Sequence, residues 1–184
     1  MLDAATTTQH AHQDAKHEGP SGLDRLLTIR EDPARRPTVA GLLGMQLEDV
    51  EPGRVTFTAT ARADFGNPQQ TLHGGITATM LDSAMTCSVV SMLPAGVGTT
   101  TIDLSVHYLR AVPLDARVLR AEGVVVHVGR RLATANGTLT DEHGRVVATA
   151  TTACMVLDGE GNGAGTPLSP AREGNGTDDR RGAR

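Results

Sequence analysis

Residues 74–92 read GGITATMLDSAMTCSVVSM, and on the helix this segment predicts, apolar residues fall on every side while Asp82 is the one charge. A helix of that kind cannot lie on a surface, because no face of it prefers water. It belongs in the middle of something. Its small residues Ala78, Ala84, Cys87 and Ser88 allow neighbouring backbones to come close. The rest of the fold therefore has to supply a cover for this one helix.

The flanking sequence supplies strands. Residues 42–50 and 54–63 read as two strands joined at Glu51-Pro52-Gly53, and in the second of them Val55, Phe57 and Ala59 alternate with Thr56, Thr58 and Thr60 to give one dry face. After Pro94-Ala95-Gly96 come strand-like runs at 100–109, 116–128 and 131–140, a tight turn at Asp141-Glu142-His143-Gly144, and a last run at 145–157. Connections this short exclude parallel crossovers, so the sheet is antiparallel. Upstream, Ser21 with Asp24 three residues later marks the start of a short docking helix whose stripe is Leu23, Leu26 and Leu27 and which ends before Pro33. The expected fold class is α+β, one antiparallel sheet curled around one apolar helix, which hides the helix and one sheet face together.

At 184 residues the chain has room for one domain with tails. The segment 1–20 is polar and aperiodic, and 159–184 is rich in Gly, Pro and charge, so both are expected to be disordered and the folded domain to span 21–158. His10, His12 and His17 lie in the first tail, where nothing holds the geometry a metal site needs. Aromatic residues make up only 2% and the net charge is -4, which leaves neither stacking platform nor attraction for phosphate polymers and argues against nucleic-acid partners. Cys87 and Cys154, each in an apolar stretch, read as reduced core residues. The start of the chain lacks a basic, apolar leader, and no uncharged apolar run reaches membrane-spanning length. The expectation is a cytoplasmic protein without a membrane partner.

Asp82 is the residue that points to chemistry. A carboxylate amid apolar residues costs several kcal/mol to desolvate unless it is paired or faces a wet cleft, where it can serve as general base or nucleophile. A buried structural ion pair is the competing account. The second feature is Leu72-His73-Gly74-Gly75 at the helix start, where free N–H groups of the first turn can face developing negative charge, as on the oxyanion of acyl transfer. Gly74 and Asp82 are eight residues apart on one helix, roughly 12 Å along its axis. One carbonyl cannot touch both. A working site needs the helix start of one subunit and the Asp of another, which predicts an obligate homodimer with two composite sites. No G-x-S-x-G elbow occurs, and Ser83 and Cys87 have no His partner in sequence, so a serine- or cysteine-nucleophile hydrolase is not indicated.

The stretch Asn67-Pro68-Gln69-Gln70-Thr71-Leu72-His73-Gly74-Gly75, running on to Leu81-Asp82, resembles the active-site segment of hotdog-fold acyl-CoA thioesterases of the phenylacetate-pathway (PaaI) type. The resemblance extends over residues 42–157, including Leu43-Gly44-Met45 and the strand with Ser105-Val106-His107-Tyr108-Leu109-Arg110, and leaves out both tails. It implies a sheet of five or six antiparallel strands wrapped around the central helix, homodimers that pair into a continuous sheet, and dimers of dimers. By position it implies Asp82 as catalytic carboxylate, Gly74 as the backbone N–H donor to the thioester carbonyl, and Asn67 and His73 as residues shaping the same pocket. A hydroxyl on the first strand after the helix, Thr101 with Thr99 and Thr100 as neighbouring candidates, would orient water. CoA contacts are implied at Tyr108 and at Val128, Gly129, Arg130 and Arg131, where two arginines beside a glycine suit phosphates. The implied reaction is hydrolysis of an acyl-CoA thioester to free acid and CoA, by general-base or anhydride chemistry, with no metal and no cofactor beyond the CoA of the substrate. Met80, Leu81, Met85 and Val89 are the expected acyl lining. Two other readings compete: a non-catalytic acyl-CoA sensor or scaffold, and a hotdog dehydratase or hydratase.

Overall fold

The computed structural model describes residues 19–32, 38–115 and 117–157. Both tails, with His10, His12 and His17, lie outside the described residues except for the last two residues of the first. The organising element is helix α3 (Gly74–Val90), which carries a fully buried stripe of Thr77, Met80, Leu81, Ala84, Met85, Ser88 and Val89. These residues recur at the three- and four-residue spacing that places them on one side of a helix. The opposite side, with Ile76, Thr79, Ser83, Thr86, Cys87 and Val90, is only half-buried. The apolar sequence is thus covered on one side by the sheet and left partly open on the other.

The cover is a six-stranded antiparallel sheet in the order β1-β2-β4-β5-β6-β3, built from β1 (Gln46–Glu51), β2 (Arg54–Thr60), β3 (Gly98–Tyr108), β4 (Val118–Val128), β5 (Leu132–Asp141) and β6 (Val146–Leu157). In β2, Val55, Phe57 and Ala59 are buried as expected, but the alternation is incomplete, since Thr56 is also buried at 4% exposure. Its hairpin with β1 turns at Gly53, whose φ of 77° lies in the region glycine favours. The β5–β6 turn is held by Asp141, whose carboxylate accepts hydrogen bonds from the backbone N–H groups of His143 and Arg145 and from the Arg145 guanidinium. Those bonds, the Arg145 side chain foremost, hold its pKa down at about 2.

Helix α1 (Gly22–Glu31) begins with the expected box: the Ser21 hydroxyl accepts from Asp24 N–H while the Asp24 carboxylate accepts from Ser21 N–H. It docks on the far end of α3, where Gly22 N–H donates to Leu93 O at 2.9 Å. One sequence expectation is corrected. Residues 42–45 are not the start of a strand: a helix α2 (Val39–Leu43) precedes β1, capped by the Thr38 hydroxyl and ended by Gly44 with φ 66°. Threonine at the cap and a left-handed glycine after the last turn outweigh the strand-like side chains between them.

Sheet and helix approach one another closely at Gly123, in the middle of β4. A Cβ there would overlap the carbonyl of Ala84 and come within 2.5 Å of Met85 N, all of it helix backbone. Neither element can give way without opening the core. Gly123→Ala is expected to destabilise the protein by about 2–3 kcal/mol, at the upper end for overpacking. Chemical denaturation reads this directly, and an unchanged midpoint would show that α3 sits farther from the sheet than these contacts require.

Candidate active site

The loop before α3 is built by Asn67. Its Oδ1 accepts from the N–H groups of Gln69 (3.0 Å) and Thr71 (3.1 Å), and its Nδ2 donates to Thr71 Oγ1 at 2.9 Å. These bonds fold residues 67–71 into a tight loop in which Gln70 adopts φ 60°. His73 N–H then donates to Phe65 O at 2.8 Å, and Leu72 N–H to Val112 O at 2.9 Å, which fixes the start of the helix between two neighbouring segments.

At that start His73 is the N-cap. Its Nδ1 accepts from Gly75 N–H at 2.9 Å. The His73 carbonyl takes the N–H groups of Ile76 and Thr77. Of the first-turn donors this leaves Gly74 N–H without an acceptor among the described residues. Gly74 lines a cavity of about 360 Å³ that Asn67, Tyr108 and Arg110 also line. Tyr108, at the end of β3, closes over the first turn and donates its hydroxyl to Gly74 O at 3.0 Å. A free N–H at a helix N-terminus, facing a cavity, is suited to hold an oxyanion.

Two turns further along the helix, Asp82 is half-buried on the open side of α3. Its Oδ1 accepts from Thr101 Oγ1 at 2.9 Å and from Thr86 Oγ1 at 3.4 Å, and the two hydroxyls are 3.1 Å from one another. Oδ2 has no partner among the described residues. The carboxylate is therefore oriented through one oxygen, and among the described residues nothing engages the other and no Arg or Lys pairs with it, contrary to a structural ion pair. Of the three candidate threonines, Thr101 is the one beside Asp82. It pairs across the sheet with Cys154, which faces the helix, while Thr100 pairs with outward-facing Met155. Thr86 was absent from the sequence reading, although its place four residues after Asp82 puts the two side chains on one helix face.

Within one protomer the structure does not bring Gly74 and Asp82 together, and Asp82 is not part of the cavity at Gly74. It also separates the expected CoA contacts. Tyr108 pairs with Ala148 at one end of β6, whereas Val156 near the other end donates its N–H to Arg131 O. Eight residues of extended strand between them span roughly 26 Å. Val128 ends β4, and Gly129 donates its N–H to Leu132 O across the hairpin. Arg130 and Arg131 border a separate cavity of about 620 Å³ floored by Ile102, Leu132 and Met155.

The expected acyl lining is corrected. Met80, Leu81, Met85 and Val89 are all 0% exposed on the sheet-facing stripe and cannot touch a ligand. Helical periodicity turns Met80 and Leu81 away from Asp82, the sheet covers Met85 and Val89 at the border of its face, and Thr79, Ser83 and Thr86 share the open side with it. Burial pushes the Cys87 thiol up to about 12, with the Asp82 carboxylate adding to the rise, which disfavours the thiolate that a nucleophile needs. Cys154 is fully buried. Among the described residues no group of three His, Cys, Asp or Glu side chains could hold a metal ion, and no helix is long and apolar enough to cross a membrane.

A sequence model of the thioesterase superfamily matches residues 69–148, from the loop ahead of the helix into β6. Over 92 residues, 47% of this chain, the sequence is 37% identical to an inferred esterase of Halobacterium salinarum, and the match spans only 59% of that protein. Among solved structures, an inferred thioesterase of Ralstonia eutropha JMP134, related to phenylacetic acid degradation, is 30% identical. Its TM-score is 0.64 over 71% of this chain and 98% of that one. A hypothetical thioesterase of Streptococcus pneumoniae TIGR4, solved with coenzyme A, is 29% identical, with TM-score 0.57 over 62% of this chain and 89% of that one.

Proposed function

The chain belongs to the thioesterase superfamily and has its hotdog fold, and from that premise we propose that it hydrolyses an acyl-CoA thioester to the free acid and CoA. The observation that carries the reading is the pairing of an unengaged Gly74 N–H at the helix start with a carboxylate, Asp82, that two hydroxyls orient through Oδ1 alone. The CoA bound by the Streptococcus pneumoniae relative supports the carrier.

In the proposed reaction the thioester oxygen accepts from Gly74 N–H, which together with the helix dipole stabilises the tetrahedral oxyanion. Asp82 Oδ2 takes a proton from water as the water oxygen bonds to the carbonyl carbon, and the collapsing intermediate expels the CoA thiolate, which recovers that proton. Direct attack by Oδ2, giving a mixed anhydride that water then opens, uses the same free oxygen. Thr101 and Thr86 hold the carboxylate. Asn67 and His73 act one step back, by fixing the loop and the cap that leave Gly74 N–H open. Arg130 and Arg131, with Val128 and Gly129 shaping their hairpin, are the proposed phosphate contacts, and Tyr108 borders the thiol arm.

The site is composite. Gly74 and Asp82 lie roughly 12 Å apart on one helix, so a second copy must supply one of them. The eleven-residue edge strand β3, with Leu104 and Tyr108 exposed along it, is the proposed seam, because a long apolar edge invites pairing with its own copy. The opposite edge, β1, is shorter and has α1 packed beside it. Dimers of dimers are a further step of the same proposal. The test is complementation: Asp82→Asn and Gly74→Pro chains, each inactive alone, are refolded together. Random pairing makes half of the dimers mixed, each with one intact site, so activity returns to about a quarter of the parent's. A mixture as inactive as its components would overturn the composite site.

A further inference from the structure

Two hydroxyls on one strand hold the two functional groups of α3. Thr101 Oγ1 donates to Asp82 Oδ1 at 2.9 Å, and Tyr108 Oη donates to Gly74 O at 3.0 Å. Both side chains stand on the helix-facing side of β3, because their cross-strand partners in β6, Cys154 and Ala148, are fully buried. Tyr108 is the single tyrosine of the chain. Its ring lies so close over the first turn of α3 that a Cβ at Gly74 would meet it at 3.2 Å. The backbone that follows it is tied to the sheet, since the N–H groups of Leu109 and Arg110 both donate to Val147 O.

Side chains therefore bond the Gly74–Gly75 peptide unit at both ends: its oxygen accepts from Tyr108 Oη, and its N–H donates to His73 Nδ1 at 2.9 Å. Two consecutive glycines have wide backbone freedom, so a helix that begins with them frays unless groups outside its own ladder hold the first turn. The preceding peptide unit, which carries the Gly74 N–H, is held through His73 O by the N–H groups of Ile76 and Thr77. With both planes held, the Gly74 dihedrals are set, and the direction of its N–H follows. We propose that Tyr108 is a positioning residue whose hydroxyl locks the glycine turn to the sheet and thereby aims the Gly74 N–H at the thioester oxygen. This deepens the thioesterase reading and rests on it. An oxyanion donor works by pointing correctly before the charge develops, so a loosened one loses transition-state stabilisation while ground-state binding changes little. One strand is then the reference for the carboxylate, through Thr101, and for the donor, through Tyr108.

Tyr108→Phe keeps the ring and removes only the hydroxyl, so kcat for acyl-CoA hydrolysis is expected to fall about three- to tenfold, the scale of one ordinary hydrogen bond, with KM and the melting temperature unchanged. A hydroxyl that instead touched the thiol arm would raise KM at constant kcat, and a purely structural one would lower the melting temperature alone. Either of those results, or an unchanged kcat, overturns the proposal. His73→Ala cuts the other end of the same peptide unit. Because either change alone frees the turn, the losses in the double variant are expected to be less than multiplicative. Losses that multiply in full belong to two independent effects and remove the shared clamp. Amide hydrogen exchange of Gly75, followed by NMR in the protein without substrate, separates the clamp from the hydrolysis. The bond to His73 Nδ1 protects that amide, and in Tyr108→Phe its exchange is expected to quicken by about three- to tenfold as the turn opens more often. If the parent cleaves no thioester, hydrolysis fails as a reading, yet faster exchange still supports the clamp and equal exchange removes it.

Discussion

Asp82→Asn is expected to lower kcat for acyl-CoA hydrolysis by about 10³-fold, within the range for removing a positioned general base, while the melting temperature stays close to the parent's. The asymmetry follows from the hydrogen bonds. Asparagine keeps an oxygen where Thr101 and Thr86 donate, so the packing between α3 and β3 survives. What changes is the second position, where Oδ2 becomes an amide that neither accepts a proton nor attacks a carbonyl. Asp82→Ala removes both and leaves the two hydroxyls with only each other, 3.1 Å apart, so it should lose activity equally and some stability as well. Thiol release from aryl, short, medium and long acyl-CoAs measures the first effect and thermal unfolding the second. Binding of acyl-CoA by a parent that releases no thiol would instead support a sensor. A parent that releases thiol undiminished in both variants would remove Asp82 from the mechanism.

The residues that carried the argument were legible because each breaks a local rule. A charge inside an apolar helix and glycines at its first turn conflict with ordinary core packing, and such conflicts tend to mark function. The curled sheet was legible for a related reason: a helix without a polar face leaves few architectures that can hide it. What escaped the sequence was everything set by rotation and register. Apolar residues on all sides of α3 gave no reason to prefer one stripe, so Met80 and Met85 looked like pocket wall when their side of the helix is the one pressed against Gly123 and Gly137. Thr99, Thr100 and Thr101 could not be separated until pairing with β6 and the irregularity between Thr101 and Asp103 fixed which hydroxyl faces the helix. Thr86 could have been found from its spacing to Asp82.

Gly74→Pro should fold and yet lose about 10²–10³-fold in kcat, the measured scale for one oxyanion donor. Proline normally breaks a helix by removing a bonded N–H and clashing with the preceding turn, but neither objection applies at the first helical position. Among the described residues Gly74 N–H has no acceptor to lose, and His73 at φ -64° and ψ 132° already has the extended conformation that a following proline requires. A Cβ at Gly74 would sit 3.2 Å from the Tyr108 ring, which is exposed and can shift by the few tenths of an ångström needed. The substitution therefore deletes the donor and puts the ring Cδ in place of its hydrogen. Gly74→Ala is the matched control, since it adds the same Cβ against Tyr108 and keeps the N–H. If alanine is tolerated and proline is not, the loss belongs to the N–H position, through the missing hydrogen or the ring carbon that replaces it, and not to the Cβ. If both fall together, crowding at Tyr108 explains the result, and the oxyanion would have to be held by a group other than the first N–H of α3.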